Sequence, residues 1–473
     1  MRKLTKIVAT ISDKICTVDF IKQMYESGMD VVRLNTAHQN HEDTLKVLDV
    51  VRKVSNKIPF LLDTKGPEIR TTHSTVELSV KKGDMIKVAG DPDSATTAEC
   101  LFVNYREFVS HLEVGKSIMV DDGDIELLVM EKHADHLVCK VQNSGIIKQR
   151  KSINLPGSKV NLPSLSEKDR SYIDFAIKHD IDFIAHSFVR NKEDVLAIQE
   201  ILDKHNSRIK IIAKIENQEG VDNIDEILDH VFGIMVARGD LAIEVQAEKI
   251  PGIQAELVEK CIKRKKVVIV ATQMLHSMIQ NPRPTRAEVT DVANAVFSGA
   301  DAIMLSGETA YGKYPLESVR TMTRIALEAE KSKRASGKID VLPHDNARSV
   351  FLSKMAVQSV ETLNTKAIIT DTDTGKTAMY LAAYRGKSPI YAQCYDIRAM
   401  RELAIVFGVV ADYMDVKISK KEFTHNTISR LLKNHEISED DLIAILAGNF
   451  GIKAGPSFVE ISTVRSILST PKR

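Results

Sequence analysis

Cysteine is scarce in this chain and poorly placed for pairing. Cys16, Cys100, Cys139, Cys261 and Cys394 are odd in number and widely spread, and no two form a C-x-x-C pair. That pattern speaks against a disulfide framework and a structural zinc site and suits a reducing compartment, so a cytoplasmic location is expected. Net charge is equally lacking. Lys and Arg total 65 against 64 Asp and Glu, a formal +1, which argues against a chain that coats a polyanion. No uncharged apolar run reaches the length of a membrane span. The basic start, Met1 to Lys6, is followed by an apolar run that stops at Ser12 and Asp13, too soon for a secretory signal. Neither a nucleic-acid nor a membrane partner is expected.

What the sequence does contain is enough apolar material for a large core: 43% hydrophobic residues across 473, with 27% charged. Short runs rich in Val, Ile and Leu recur at Lys6–Ile11, Val31–Asn35, Phe60–Lys65, Asp182–Ser187, Lys210–Glu216, Gly233–Asp240, Val267–Thr272 and Asp301–Ser306. Each is apolar through its middle, as a parallel strand buried on both faces must be, and helical segments separate most of them. Several end on a polar residue: Asn35, Asp63, Ser187, Glu216, Asp240, Thr272 and Ser306. Eight such units predict an α/β fold, a (β/α)8 TIM barrel with its active site at the C-terminal strand ends. An open doubly wound sheet is the alternative, but no G-x-G-x-x-G turn opens this one.

The spacing breaks once. Between Arg70 and Ser152 the runs Val76–Val80, Met85–Ala89, Ile118–Val120, Glu126–Met130 and Leu137–Val141 are joined by Gly- and Asp-containing turns, with no helical pattern between them. This predicts a small all-β, barrel-like lid domain over 71–151, dividing the barrel into 1–70 and 152–330. Ser166 and Asp169 form a capping signal where the barrel resumes. Residues 331–346 are charged and carry Gly337 and Pro343, so they read as a linker. A C-terminal α/β domain over 347–473 follows, with strands near Ala367–Thr370, Ile390–Gln393, Ala411–Met414, Leu442–Leu446 and Phe458–Ile461.

Glu216 and Asp240 close neighbouring strands, and two converging carboxylates with open positions suit Mg2+ held together with a phosphorylated substrate. Helix caps or ion pairs are the plainer alternative. Lys214 precedes Glu216 by two residues, so both point to one face, and a buried lysine there needs a strong anion. Arg33 shares a face with Asn35, while Asp63, Thr64 and Arg70 gather after the third strand; forked guanidinium contacts suit phosphate. Thr272 offers a hydroxyl near a helix N-terminus, either for an anion or simply as a cap. Thr374-Gly375-Lys376-Thr377 imitates the end of a Walker A loop, but Thr370 stands where that motif needs Gly. The basic run Lys263 to Lys266 reads as a solvated helix end.

The segments GMDVVRLN (Gly28–Asn35), DTKGPEIR (Asp63–Arg70), SFVR (Ser187–Arg190), AKIENQEG (Ala213–Gly220), MVARGDLA (Met235–Ala242) and ATQMLHSMIQNPRPTRAE (Ala271–Glu288) follow one another. In content and order this chain resembles the pyruvate kinase family from about Thr5 to Val319, and more loosely beyond. The resemblance implies phosphoryl transfer from phosphoenolpyruvate to ADP, giving pyruvate and ATP, with Mg2+ (or Mn2+) and K+ as cofactors. Carried over by motif position, Arg33 contacts the substrate phosphate and Lys214 stabilises the transferring group and the enolate. Glu216 and Asp240 bind Mg2+, while Gly239, Asp240 and Thr272 hold the substrate carboxylate, with Thr272 also in the proton relay. Asn35, His38, Arg70 and Lys151 match nucleotide contacts; Asn35, Asp63 and Thr64 match potassium ligands. A homotetramer and a phosphorylated effector on the C-terminal domain are implied in the same way.

Departures are specific. Asn35-Thr36-Ala37-His38-Gln39 replaces the family's N-F-S-H-G and lacks one potassium-ligand hydroxyl. Ser12-Asp13 stands for Gly-Pro, Ala242 for Gly and His276 for Glu. An aldolase or lyase barrel has no use for the lid or for Arg70 and Lys151, and a silent metabolite sensor has no use for Lys214.

Overall fold

In the computed structural model, residues 2–74, 76–158, 160, 162–332, 339, 341–342, 346–414, 420–448 and 455–469 are described. Eight parallel strands close on themselves: β1 (Lys6–Thr10), β2 (Val31–Asn35), β3 (Phe60–Asp63), β4 (Phe183–His186), β5 (Lys210–Ile215), β6 (Gly233–Ala237), β7 (Val267–Ala271) and β8 (Ala302–Leu305), with β8 against β1. Each predicted run contains its strand: Val31–Asn35 matches to the residue, and the other seven are shortened at one or both ends.

The two sides of these strands do different work. Val8, Val31, Leu61, Phe183, Ile212, Met235 and Ile269 belong to one apolar cluster, the barrel interior. Ile7, Val32, Phe60, Leu62, Ile184, Ala213, Ile234 and Val268 belong to another, packed beneath the surrounding helices. Because side chains alternate along a strand, the interior-facing parity of β2, β3 and β5 runs Val31 to Arg33, Leu61 to Asp63 and Ile212 to Lys214. The same parity that fills the barrel with hydrocarbon thus ends in charge at the C-terminal mouth.

Strands Ile69–Arg70 and Ser152–Asn154 pair antiparallel and form the edge of a seven-stranded sheet, which Gly145–Ile147 and Leu78–Val80 supplement as a separate pair. Its interior is Val88, Leu101, Phe108, Leu127, Val129, Leu137 and neighbours, a core separate from the barrel's. The sequence reading missed Cys100–Val103 and Gly145–Ile147. Both are three or four residues long, too short for alternation to show.

Ser166 caps the helix Glu167–Lys178 through the expected reciprocal box with Asp169. Lys331 and Ser332, read as linker, instead finish the helix Pro315–Ser332; residues 333–338, 340 and 343–345 of that stretch lie outside the described residues. Beyond them a five-stranded sheet runs in the order Val409–Tyr413, Ile390–Cys394, Ala367–Thr372, Leu442–Ala447, Phe458–Thr463, the last strand antiparallel. Ion pairs fasten this sheet's helices to the N-terminal ends of the barrel strands. Arg385 meets Asp301 at 2.7 Å, both 3% exposed, and Arg401 meets Asp182 at 2.5 Å.

The run Lys263 to Lys266 forms the expected helix end, with Lys263 paired to Glu259 and Arg264 to Asp225 and Asp229 on its exposed side. Its last two residues are not solvated as expected. Lys265 donates to the Leu342 carbonyl and lies over the Tyr380 ring, and Lys266 donates to the Val231 carbonyl. Long stems let these side chains cover apolar surface while their heads find carbonyls. Among the described residues no helix is long and apolar enough to cross a membrane.

Candidate active site

Lys214 is the centre of the barrel mouth. Its Nζ lies 3.1 Å from Asp63 Oδ1 and 2.9 Å from Glu216 Oε1, and donates to Ser187 Oγ at 2.7 Å. Burial alone would push this ammonium down, but the carboxylates of Asp63 and Glu216 overcome it and hold the group above the usual lysine range. Asp63 is 1% exposed, and its burial is outweighed by Arg33 and Lys214, which keep it ionised below the usual carboxylate range. Arg33 grips Asp63 Oδ2 through Nε at 2.6 Å and reaches Thr10 Oγ1 at 2.9 Å. Asn35 is the register partner of Asp63 across β2 and β3, which brings Asn35, Asp63 and Thr64 to one rim. Arg33, Asn35, Asp63 and Lys214 were expected together, and they are.

Glu216 follows β5 by one residue, and the Phe188 amide donates to its Oε2 at 2.7 Å. Asp240 does not end a strand as expected. The strand stops at Ala237, and Asp240 lies in the first turn of the helix Arg238–Glu244. Thr272 explains the early start of that helix: its Oγ1 accepts the Gly239 amide at 2.7 Å, so one unsatisfied donor of the helix N-terminus is paired. Thr272 itself has no helix of its own to cap. It and Gln273 have φ of 67° and 53°, a strained pair held by Arg238, which donates to the Thr272 carbonyl at 2.8 Å and pairs with Asp291 at 2.6 Å. Burial raises both Glu216 and Asp240 above the usual carboxylate range, and the neighbouring Asp240 charge raises Glu216 further.

Arg70 and Lys151 lie at the root of the inserted sheet, where the Thr71 amide donates to the Lys151 carbonyl and the Lys151 amide donates to Thr71 Oγ1. Arg70 pairs with Glu68 at 2.7 Å and Lys151 with Asp121 at 2.8 Å. His38 is exposed on the loop after β2, with its amide bonded to the Asn35 carbonyl. A cavity of about 420 Å³ between the inserted sheet and the barrel is lined by Glu68, Asp122, Ser152, Asp240 and Glu244.

The sequence reading missed two positioning residues. Ser187 accepts from Lys214 and donates to the Thr64 carbonyl at 2.7 Å, binding β3, β4 and β5 at one point. Its place among the polar strand ends was the available signal. Asp169, noticed only as a cap, also accepts the Lys65 amide at 2.9 Å and so fixes the loop after Asp63 and Thr64.

Comparison with known proteins agrees with this geometry. Residues 2–319 match the family model described as pyruvate kinase, barrel domain, and residues 351–461 match pyruvate kinase, alpha/beta domain. The chain is 46% identical over 471 residues to a pyruvate kinase of Borreliella burgdorferi, covering 98% of each. It is 42% identical over 458 residues to one of Geobacillus stearothermophilus, covering 95% of this chain and 78% of that longer one. The crystal structure of a pyruvate kinase from Cryptosporidium parvum superposes with a TM-score of 0.93 at 36% identity, covering 98% and 96% of the two chains.

Proposed function

The chain belongs to the pyruvate kinase family, and we propose that its phosphoryl transfer from phosphoenolpyruvate to ADP is carried by the cluster around Lys214. The enzyme is a phosphotransferase of that specificity by family; the residue roles are our reading. One observation carries them: a buried ammonium held by Asp63, Glu216 and Ser187 at the mouth of a closed barrel.

The attacking oxygen of ADP is already anionic, so no base is needed to activate it. The demands are in-line positioning and neutralisation of crowded negative charge. Arg33 contacts the substrate phosphate, and Lys214 faces the phosphoryl group and the enolate oxygen left behind. The Gly239 and Asp240 backbone and Thr272 hold the substrate carboxylate. The Thr272 hydroxyl, already bonded to both Gly239 and Ala271, then relays a proton to the enolate carbon. Asn35, His38, Arg70 and Lys151 receive the nucleotide, with the inserted sheet closing over the cleft that reaches Asp240.

A buried and a half-buried carboxylate, both with raised affinity for protons and one of them facing the cavity, are also a fitting donor pair for a divalent cation. Glu216 and Asp240 would hold Mg2+ (or Mn2+), which when bound supplies positive charge to phosphoryl oxygens. Asn35, Asp63 and the Thr64 carbonyl lie at the adjoining ends of β2 and β3 and, as hard oxygen donors, would hold K+. The loop Thr372–Thr377 joins a strand to the helix Lys376–Ala383, with Gly375 at φ 80°, and offers a place for an effector phosphate. A homotetramer, a cytoplasmic location and a place in glycolysis complete the reading.

The direct test supplies phosphoenolpyruvate, ADP, Mg2+ and K+ and follows pyruvate. Formation of pyruvate that stops when ADP is omitted supports the assignment. Pyruvate released at the same rate without ADP would mean a phosphatase.

A further inference from the structure

We propose that Phe188 is a positioning residue that sets the orientation of the Glu216 carboxylate, which rests on the reading of Glu216 as a divalent-cation ligand. Lys214 holds Glu216 Oε1 at 2.9 Å, and the Phe188 amide donates to Oε2 at 2.7 Å. One donor on each oxygen fixes the rotation of the carboxylate about its last bond and leaves each oxygen a further lone pair for a cation. Lys214 comes from the same strand, two residues earlier. The Phe188 amide, just past the end of β4, is the bond that ties the carboxylate to the neighbouring strand.

The amide reaches Glu216 because the chain turns at Ser187 and Phe188. Phe188 has a φ of 57°, in the left-handed region that glycine enters freely and a bulky aromatic residue avoids. A phenylalanine stays in that conformation only where its surroundings hold it. Those surroundings are specific. Ser187 Oγ donates to the Thr64 carbonyl at 2.7 Å on one side of it. On the other, the Val189 carbonyl accepts Asn217 Nδ2 at 3.4 Å and the Arg190 carbonyl accepts Asn223 Nδ2 at 2.9 Å.

The ring has its own task. A Cβ built on Gly66 would stand 2.8 Å from a ring carbon of Phe188 and 2.9 Å from Ser187 Cβ, so the ring packs on the bare face of that glycine. Gly66 belongs to the loop after β3 that follows Asp63 and Thr64, and Phe188, half-buried, also lines the cavity that Asp240 lines. Glycine at 188 would satisfy the backbone. The phenylalanine adds a wedge between two loops, and without it the turn that aims the amide is free to relax.

Binding of Mn2+ alone to the full-length protein, followed by the electron paramagnetic resonance of the free ion, reads this site without turnover. Phe188→Gly keeps the amide, relieves the φ and deletes the ring; it should weaken Mn2+ by about tenfold or more, as loss of a ligand's outer partner does. Phe188→Tyr, which keeps the ring, should stay within threefold of the parent. An ester in place of the Phe188 amide, made by incorporating phenyllactate there, removes only the N–H and should weaken Mn2+ as much as Phe188→Gly does. In rates, both weakened variants should need about tenfold more Mg2+ for half-maximal activity, with a much smaller change in kcat at saturating Mg2+. Parent-like Mn2+ affinity in the ester would overturn the proposal. So would a Phe188→Gly that melts earlier yet binds Mn2+ as the parent does, because the ring would then be structural only. Glu216→Gln separates the two readings. Unchanged Mn2+ affinity in that variant would overturn the metal assignment and the proposal with it, whereas lost affinity there beside parent-like Phe188 variants would overturn the role of Phe188 alone.

Discussion

Lys214 donates to Ser187 Oγ at 2.7 Å, and the same hydroxyl donates onward to the Thr64 carbonyl at 2.7 Å. This relay aims the ammonium of one strand by the backbone of another, two strands away. Ser187→Ala leaves Lys214 its ionic partners Asp63 and Glu216 but removes the bond that selects its direction. The expected effect is a fall in kcat of about tenfold, the equivalent of ~1.4 kcal/mol, with the phosphoenolpyruvate KM nearly unchanged. Ser187→Thr should recover most of the loss. A KM effect without a kcat effect would show that Ser187 serves substrate binding instead.

Lys214→Met retains most of the aliphatic volume and deletes the charge whose contacts strengthen as negative charge shifts in the transition state. Turnover should drop by ~10²–10³, and substrate affinity by much less. Direct comparison of kcat with a phosphoenolpyruvate binding constant checks it. Turnover within threefold of the parent would remove Lys214 from its assigned role.

Dependence on a monovalent cation follows from Glu68 and Ala37. Potassium-independent relatives resemble one another in carrying lysine at the position of Glu68, where its charge can stand in for the ion. Glu68 is instead an acid that pairs with Arg70 at 2.7 Å and supplies no such charge, so a requirement for the ion is the expected outcome. Ala37 lacks the hydroxyl that would complete the potassium shell; its amide turns to Asn35 Oδ1 at 3.1 Å. Activity should rise with K+, and Ala37→Ser should move that rise to a several-fold lower concentration, about 1 kcal/mol. Initial rates in tetramethylammonium and potassium salts at matched ionic strength and saturating Mg2+ decide it; equal rates would make the ion dispensable.

Acid stability should carry the mark of His186, which is 1% exposed and whose ring nitrogens have no hydrogen-bond partner among the described residues. Burial pushes its pKa down to about 4 from the usual 6.5. The unfolded chain therefore takes up a proton that the folded one refuses, so stability is whole above about pH 6.5 and falls as pH drops toward 4. The loss from this group is of the order of 3 kcal/mol at about 1.4 per pH unit. His186→Leu should show a shallower decline of unfolding midpoint between pH 7 and 5. Parallel declines in parent and variant would assign the acid sensitivity elsewhere.

The barrel, its insertion and the charged ends of β2, β3 and β5 were legible because strand parity is local. Once Val31, Leu61 and Ile212 face the interior, Arg33, Asp63 and Lys214 must face the mouth. The resemblance then supplied roles for Glu216, Asp240 and Thr272 that spacing alone left open between metal ligand and helix cap. What periodicity could not carry is contact between residues far apart in the chain. Whether Thr272 caps its own helix or the one beginning at Arg238 depends on which strand end lies beside it, and only closure of the barrel decides that. Ser187 acquires meaning only where β3, β4 and β5 converge. The same holds for Lys265 and Lys266, whose polarity reads as solvent exposure until the chain folds and their heads find carbonyls and, for Lys265, an aromatic face. Sequence determines which side chains a strand or helix presents. Tertiary packing determines what each of them meets, because hydrogen bonds and ion pairs act over a few ångströms of space regardless of separation along the chain.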